Sequence, residues 1–216
     1  MDPDVFILEN VKGLTNHDSG KTFQVILAYL QQLRQYDIFY DILNTSDYGV
    51  PQNRERIFII GLKKTKFNTR GFKFPSKIPL KTTVRDYLEP QEIQQKDGVH
   101  NLTQHKANIL IDLLNNDVID DLDDDWLVNL NVSHYRRSGA RKDIVPCLLA
   151  GGGGNCVFYL TSIGRRLTPR EYLRLQGFPD DFEQGVSDSK MYKQVGNSIS
   201  SNVLAFLFKE IFMIIK

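Results

Sequence analysis

The stretch Tyr48-Gly49-Val50-Pro51-Gln52-Asn53-Arg54-Glu55-Arg56-Ile57-Phe58-Ile59-Ile60-Gly61 runs from a turn through a dense polar cluster into an apolar run. Gly49 and Pro51 punctuate the chain, and Ile57 to Ile60 is β-branched and aromatic enough to predict an interior strand. Arg54 and Arg56 are two residues apart, so in extended chain they share one face. Two guanidinium groups at the mouth of a sheet suit an anion or a flipped base, because each offers a planar fork of donors. The same residues also fit a plainer reading, surface salt bridges to Glu55 and its neighbours.

Upstream, Val5-Phe6-Ile7-Leu8 is a continuous apolar run of the kind found in strands buried on both faces. Such a strand rarely opens a fold, so part of its sheet is expected to come from polypeptide outside this sequence. Glu9 and Asn10 follow at the carboxyl end of the strand, where open α/β sheets place their ligands. Gly13 to Gly20 reads as a loop, with Asp18 or Ser19 available to cap a helix. Phe23, Ile26, Leu27, Leu30 and Leu33 recur at helical spacing, predicting one apolar stripe and a helix that ends near Gln35. Asp37 to Asn44 reads as a second strand and Ile57 to Leu62 as a third. A βα unit followed by two strands is consistent with a mixed sheet carrying an antiparallel edge.

Downstream, Lys63 to about Pro79 is basic and loop-like, either a solvated face or an arm for phosphates. Thr83 to Leu88 predicts a helical turn and Thr103 to Leu114 a short helix. Asp117, Asp120, Asp121, Asp123, Asp124 and Asp125 crowd together without the central glycine of a calcium loop, so they read as solvated. Arg136, Arg137, Arg141 and Lys142 precede the apolar run from Ile144 to Ala150, which ends in Gly151, Gly152, Gly153 and Gly154. That glycine run lacks the setting of a dinucleotide loop. A glycine loop beside a basic strand suits DNA phosphates and groove edges, and it equally suits a plain hairpin. Thr168, Pro169 and Glu171 form a helix-start signature, which Gly177 and Pro179 bring to a stop. Gln194-Val195-Gly196-Asn197-Ser198 reads as a tight turn, and Ser200 to Ile215 as the closing helix.

Composition narrows the class. With 216 residues, 41% hydrophobic and 25% charged, this reads as a soluble globular chain of one large or two small domains. A net charge of +1 neither supports nor excludes a nucleic-acid partner, so patches must decide. Two cysteines, Cys147 and Cys156, with no signal-peptide pattern, point to a reducing, cytoplasmic setting rather than a disulfide framework. No segment reaches the roughly 18 to 20 apolar residues of a membrane span.

Taken together, these motifs resemble the DNA (cytosine-5) methyltransferases. Glu9-Asn10-Val11 is similar to the sixth motif of that family and Gln52-Asn53-Arg54-Glu55-Arg56 to the eighth. Arg166 to Glu171, with Gln176-Gly177-Phe178-Pro179, resembles the ninth, and Gln194 to Ser198 the tenth. The resemblance covers nearly the whole chain except roughly residues 90–131. It implies an α/β fold: part of a Rossmann-like, S-adenosylmethionine-dependent methyltransferase sheet, with a small, mostly β target recognition domain inserted before the C-terminal helix. The implied division is 1–80 for the catalytic part, 81–163 for recognition and 164–216 for the ninth and tenth motifs.

The resemblance also implies a reaction. A cysteine thiolate adds to C6 of a flipped cytosine, and C5 then takes a methyl group from S-adenosyl-L-methionine. Glu9 matches the family carboxyl at N3 of the base, and Arg56 with Arg54 would hold O2 and a neighbouring phosphate. Asn197 and Ser198 match part of the cofactor pocket; Arg136, Arg137, Arg141, Gly151 and Gly152 are the candidate contacts to double-stranded DNA. The family's Gly-rich cofactor loop and Pro-Cys nucleophile loop precede the Glu-Asn-Val strand and are not among these residues. An N-terminal half or subunit is therefore the expected partner, and the chain alone is expected to be inactive. Pro146-Cys147 lies where the family often has Pro-Thr-Leu-Thr-Ala, so Cys147 reads as inert packing. Alternatives are a non-catalytic DNA-binding subunit or remnant, and a fragment of a tRNA cytosine-5 methyltransferase.

Overall fold

The computed structural model describes residues 2–90, 100–131, 140–150 and 157–216. Its organising element is a three-stranded sheet of β1 (Val5–Val11), β2 (Tyr36–Asn44) and β4 (Glu55–Lys63), in the order β1-β4-β2. Both outer strands run antiparallel to β4, so the antiparallel strand is the middle one rather than the expected edge. The physical reason lies in composition. Ile57, Phe58, Ile59, Ile60 and Leu62 are all buried, and only a central strand hides a run apolar on both faces. Leu8 of β1 is by contrast 43% exposed, because among the described residues β1 pairs on one side only.

The side-chain period of two divides β4 between two cores. Ile57 and Ile59 pack with Phe23 and Leu27 of helix α1 (Lys21–Gln31). Phe58, Ile60 and Leu62 pack with Val203, Leu207 and Ile211 of helix α5 (Ser201–Phe212). The sheet therefore lies between two helices. Helix α1 starts from Gly20, in the left-handed region, and the expected caps Asp18 and Ser19 sit at φ 49° and 54° without capping it. It ends at Gln31, four residues before the expected Gln35.

Short strands build the other half. β3 (Gln52–Asn53) pairs in parallel with β7 (Val145–Pro146). A four-stranded sheet has the order β6 (Arg141–Lys142), β5 (Trp126–Val128), β8 (Tyr159–Leu160), β9 (Arg165–Arg166). Helix α2 (Gln104–Asn115), capped by Thr103, covers one side with Leu110 and Leu113. Helices α3 (Pro169–Leu175) and α4 (Asp188–Asn197) share a core with Leu127, Val145, Leu148 and Leu160. Gln194 to Asn197 is thus the last turn of a helix, not a free-standing turn; Met191, Tyr192 and Val195 supply its buried face.

The acidic stretch is more engaged than a solvated loop. Asp120 accepts from the Trp126 indole, Asp124 pairs with Lys142, and buried Asp125 pairs with Arg85. In the basic segment, Lys63, Lys64 and Lys77 pair with Asp2, Asp37 and Asp47, which leaves fewer cations free for phosphates. No helix among the described residues is long and apolar enough to cross a membrane.

Candidate active site

Strand register alone brings the first two site residues together. Glu9 lies opposite Phe58 and Val11 opposite Arg56, so Glu9 and Arg56 are diagonal neighbours on one face of the sheet, within reach of long side chains. Arg56 Nε lies 2.9 Å from Glu9 Oε1, and both side chains are mostly buried, at 14% and 22% exposure. The contact is close but poorly aligned: Oε1 is sequestered from solvent and completes no hydrogen bond. Glu9 is thus held by charge alone on that oxygen, with no aligned donor.

Arg54 occupies a different place. It is 2% exposed, and its Nη atoms donate to the main-chain oxygens of Leu148 at 2.9 Å, Gly196 at 3.2 Å and Ser198 at 2.7 Å. Burial lowers its pKa first, and the neighbouring Arg56 charge second. Rather than reaching an open cleft with Arg56, Arg54 clamps two backbone segments, at Leu148 and at Gly196–Ser198, onto its own, and Arg56 is the arginine that faces Glu9.

A buried amide pair continues the clamp. Gln52 Nε2 donates to Leu175 O at 2.6 Å and to Gln176 Oε1 at 2.7 Å, while Gln52 Oε1 accepts from Leu148 N at 3.3 Å. Gln176 Nε2 in turn donates to Val195 O and Ser198 O, both at 3.1 Å. Gly196 makes the approach possible, since a Cβ there would stand 2.4 Å from the backbone of Leu149 and Ala150. The motif resemblance singles out Gln52, Gln176 and Gly196 separately; their convergence on Leu148 depends on the β3–β7 pairing, which local sequence does not encode.

Cys147 corrects the reading as inert packing. It is a free, partly exposed thiol whose Sγ lies 3.4 Å from Arg54 Nη1 and 3.5 Å from Arg56 Nη2.

Asn197 is exposed at the end of α4, whereas the Ser198 hydroxyl donates to Val195 O at 2.7 Å. Beyond them an apolar cleft of about 290 Å³ is lined by Val5, Ile7, Ile199, Leu204 and Phe208. Val5, Ile7 and Glu9 are alternate residues of β1, so the cleft lies along the sheet face that carries Glu9. A larger open cleft of about 650 Å³, lined by Tyr87, Arg174, Phe178 and Asp180 among others, includes neither Glu9 nor Arg56. Arg174 is there committed to Asp180. Arg141 is exposed, with Nη1 on Ala140 O; Arg136, Arg137, Gly151 and Gly152 lie outside the described residues. No cluster of metal-ligating side chains occurs among the described residues.

A sheet with helices on both faces makes this an α/β protein, and solved structures share its fold. An S. pombe Dnmt2 methyltransferase matches with a TM-score of 0.61 at 19% identity, over 98% of this chain and 68% of that one. A putative DNA modification methyltransferase from an E. coli prophage matches with a TM-score of 0.61 at 21% identity, over 98% of this chain and 70% of that one. The C-5 cytosine-specific DNA methylase family model matches residues 1–213, and the chain belongs to that family. Type II methyltransferase M.SsoII of Shigella sonnei is 38% identical over 217 residues, 97% of this chain and 53% of its own length. M.NgoBI of Neisseria gonorrhoeae is 39% identical over 210 residues, 94% of this chain and 59% of its own length. The chain therefore spans a little over half the length of these relatives.

Proposed function

We propose that this chain is the carboxy-terminal part of a DNA (cytosine-5) methyltransferase, acting on a cytosine flipped from duplex DNA. The observation that carries the reading is the 2.9 Å approach of Arg56 to Glu9 on one sheet face, with the carboxylate not yet spent on a hydrogen bond. A carboxyl group at that place meets N3 of a pyrimidine and relieves the charge that builds on the ring, while Arg56 orients it and reaches O2. Arg54 keeps this group in register by tying the recognition strand to the end of α4. That makes it a positioning residue.

S-adenosyl-L-methionine supplies the methyl group when bound. The residues present fit part of such a site: exposed Asn197 is free to turn to the cofactor, Ser198 contributes through a backbone already fixed by Arg54 and Gln176, and the apolar cleft from Val5 to Phe208 offers a wall. The Gly-rich loop and the nucleophilic cysteine come from a longer polypeptide or a separate amino-terminal subunit. On this reading residues 1–80 and 164–216 serve catalysis, and 81–163, with Arg136, Arg137, Arg141, Gly151 and Gly152, serves DNA recognition.

The test is transfer of labelled methyl from S-adenosyl-L-methionine to duplex DNA. The chain alone is expected to show none, and the chain co-expressed with an amino-terminal methyltransferase fragment bearing the Pro-Cys loop is expected to methylate C5. Glu9→Gln in that complex should lose most of the activity, on the order of 100-fold or more for a lost general acid, with DNA affinity nearly unchanged. Equal loss of both would make Glu9 a structural residue.

A further inference from the structure

We infer that Cys147 is a positioning residue for Arg56, its sulfur serving as the third anchor of the guanidinium that faces Glu9. The inference rests on the proposed function for its consequence in catalysis, though not for its geometry. The donors of Arg56 are distributed over three sides. Nε faces Glu9 Oε1 at 2.9 Å, Nη1 donates to Glu55 O at 2.9 Å, and Nη2 donates to Cys147 Sγ at 3.5 Å. Two contacts on Nε and Nη1 leave a planar fork free to rock about the line between them; a third contact on Nη2 fixes its plane.

The sulfur is itself held. Arg54 Nη1 approaches it at 3.4 Å while the same atom donates to Leu148 O at 2.9 Å, and the thiol donates onward to Leu148 O at 3.7 Å. A thiol has one weak donor and weak acceptor capacity, and this arrangement uses both. The strand that carries Cys147 is fixed in three further ways. Val145 and Pro146 pair with Gln52 and Asn53, Leu148 N donates to Gln52 Oε1, and Gly196 admits the Leu149–Ala150 backbone against α4. Cys147 therefore links the recognition strand to the carboxylate–arginine pair: a displacement of that strand moves the acceptor of Arg56.

The position also makes the pair sensitive to thiol reagents. Iodoacetamide alkylates the partly exposed Sγ, forming a C–S bond as iodide leaves and the thiol proton passes to buffer. The carboxamidomethyl group then occupies the space in which Arg56 Nη2 finds its partner.

The experiment uses the full chain labelled with ¹⁵N and reads the Arg56 guanidinium, assigned by its loss in Arg56→Lys. In the wild type, restricted rotation is expected to give separate Nη resonances. Cys147→Ser keeps an acceptor and should preserve them, whereas Cys147→Ala and iodoacetamide treatment should merge them, with no reagent effect at this site in Cys147→Ser. Separate Nη resonances that persist in Cys147→Ala overturn the inference, as do merged resonances in the wild type. In the complex with an amino-terminal half, Cys147→Ala should lower kcat by about 10-fold with KM for DNA changed less than about 2-fold, and serine should restore most of it. A loss confined to KM assigns Cys147 to DNA contact and overturns the positioning role. If the wild-type complex methylates nothing, the proposed function fails while the resonances still decide the role of Cys147.

Discussion

Arg165–Glu171 and Arg56–Glu9 are built from the same two side chains and finished in opposite ways. Glu171 is fully buried and accepts from Arg165 Nη1 and Nη2 at 2.9 and 2.6 Å, from Thr168 N at 2.7 Å and from Glu89 N at 2.9 Å. Those four donors fill the capacity of a carboxylate. Glu9 has one close, misaligned arginine and retains partial access to solvent. The first pair has every acceptor position of its carboxylate occupied, and the second leaves its carboxylate without an aligned donor. The two differ in what surrounds the carboxylate, not in the residues themselves.

Breaking the saturated pair should have the largest effect. Glu171→Ala strands the Arg165 charge in the interior and removes the reciprocal half of the α3 capping box, the bond from Thr168 N to Glu171 Oε2, so a loss of about 3–5 kcal/mol is expected in urea unfolding. The double replacement Arg165→Met with Glu171→Leu should cost less than the single one, because no charge remains buried. If the single change costs under about 1 kcal/mol, the distinction between the two pairs disappears.

Gly196→Ala comes next. Its new methyl group would meet main chain rather than a flexible side chain, so relief requires moving the Leu149–Ala150 segment or the end of α4, at about 1–3 kcal/mol. The same change should loosen Cys147, read as faster labelling of its thiol. Glu9→Gln, on the unsaturated side, should alter the unfolding free energy by much less than Glu171→Ala does, because the isosteric amide leaves a polar neighbour for Arg56 and no aligned hydrogen bond is lost, despite its expected effect on methylation. That contrast with Glu171→Ala is the sharpest test that one pair serves chemistry and the other architecture.

The two regions also differed in how far their sequences could be read. Ile57 to Leu62 announces a strand because every side chain is apolar, and the Thr168-Pro169-Glu171 start of α3 is a local signal whose capping box forms as expected. Glu9 and Arg56 were legible as neighbours only through the family motifs, since alternation along the strand set Arg56 beside Arg54, which is instead committed to main-chain oxygens. The central place of β4 was harder, since strand order is set by competition for burial between segments far apart in sequence. Strands of two residues such as β6 to β9 carry no periodicity at all, and long-range pairing alone defines them. Cys147 was misread for the same reason: its neighbours Arg54 and Arg56 lie more than ninety residues away and arrive through β3–β7 pairing. In α4 the apolar spacing of Met191, Tyr192 and Val195 was available, but Gly196 and the polar residues between them suggested a turn.

The smallest expected effect belongs to His100, at the margin of the saturated region. Its ring lies 3.5 Å from Asp188 Oδ2 and is 11% exposed. Burial lowers its pKa below the ordinary 6.5, Arg166 and Arg165 add to the lowering, and Asp188 and Glu171 oppose it. The sign of the consequence follows from proton counting. Above pH 6.5 both folded and unfolded chains hold a neutral ring, and nothing is lost. Below it the unfolded chain takes up a proton that the folded chain refuses, so stability falls as pH drops from 6.5 towards the lowered folded value. One proton limits the slope to about 1.4 kcal/mol per pH unit. Thermal unfolding between pH 7.5 and 5 should show this decline in the wild type and a shallower one in His100→Gln. An unchanged slope would mean that Asp188 offsets burial, so that the ring titrates alike in the folded and unfolded chains, and a steeper decline in His100→Gln would mean that Asp188 holds the ring charged in the fold. Either outcome would place a titrating contact at a position where burial argues for a neutral ring.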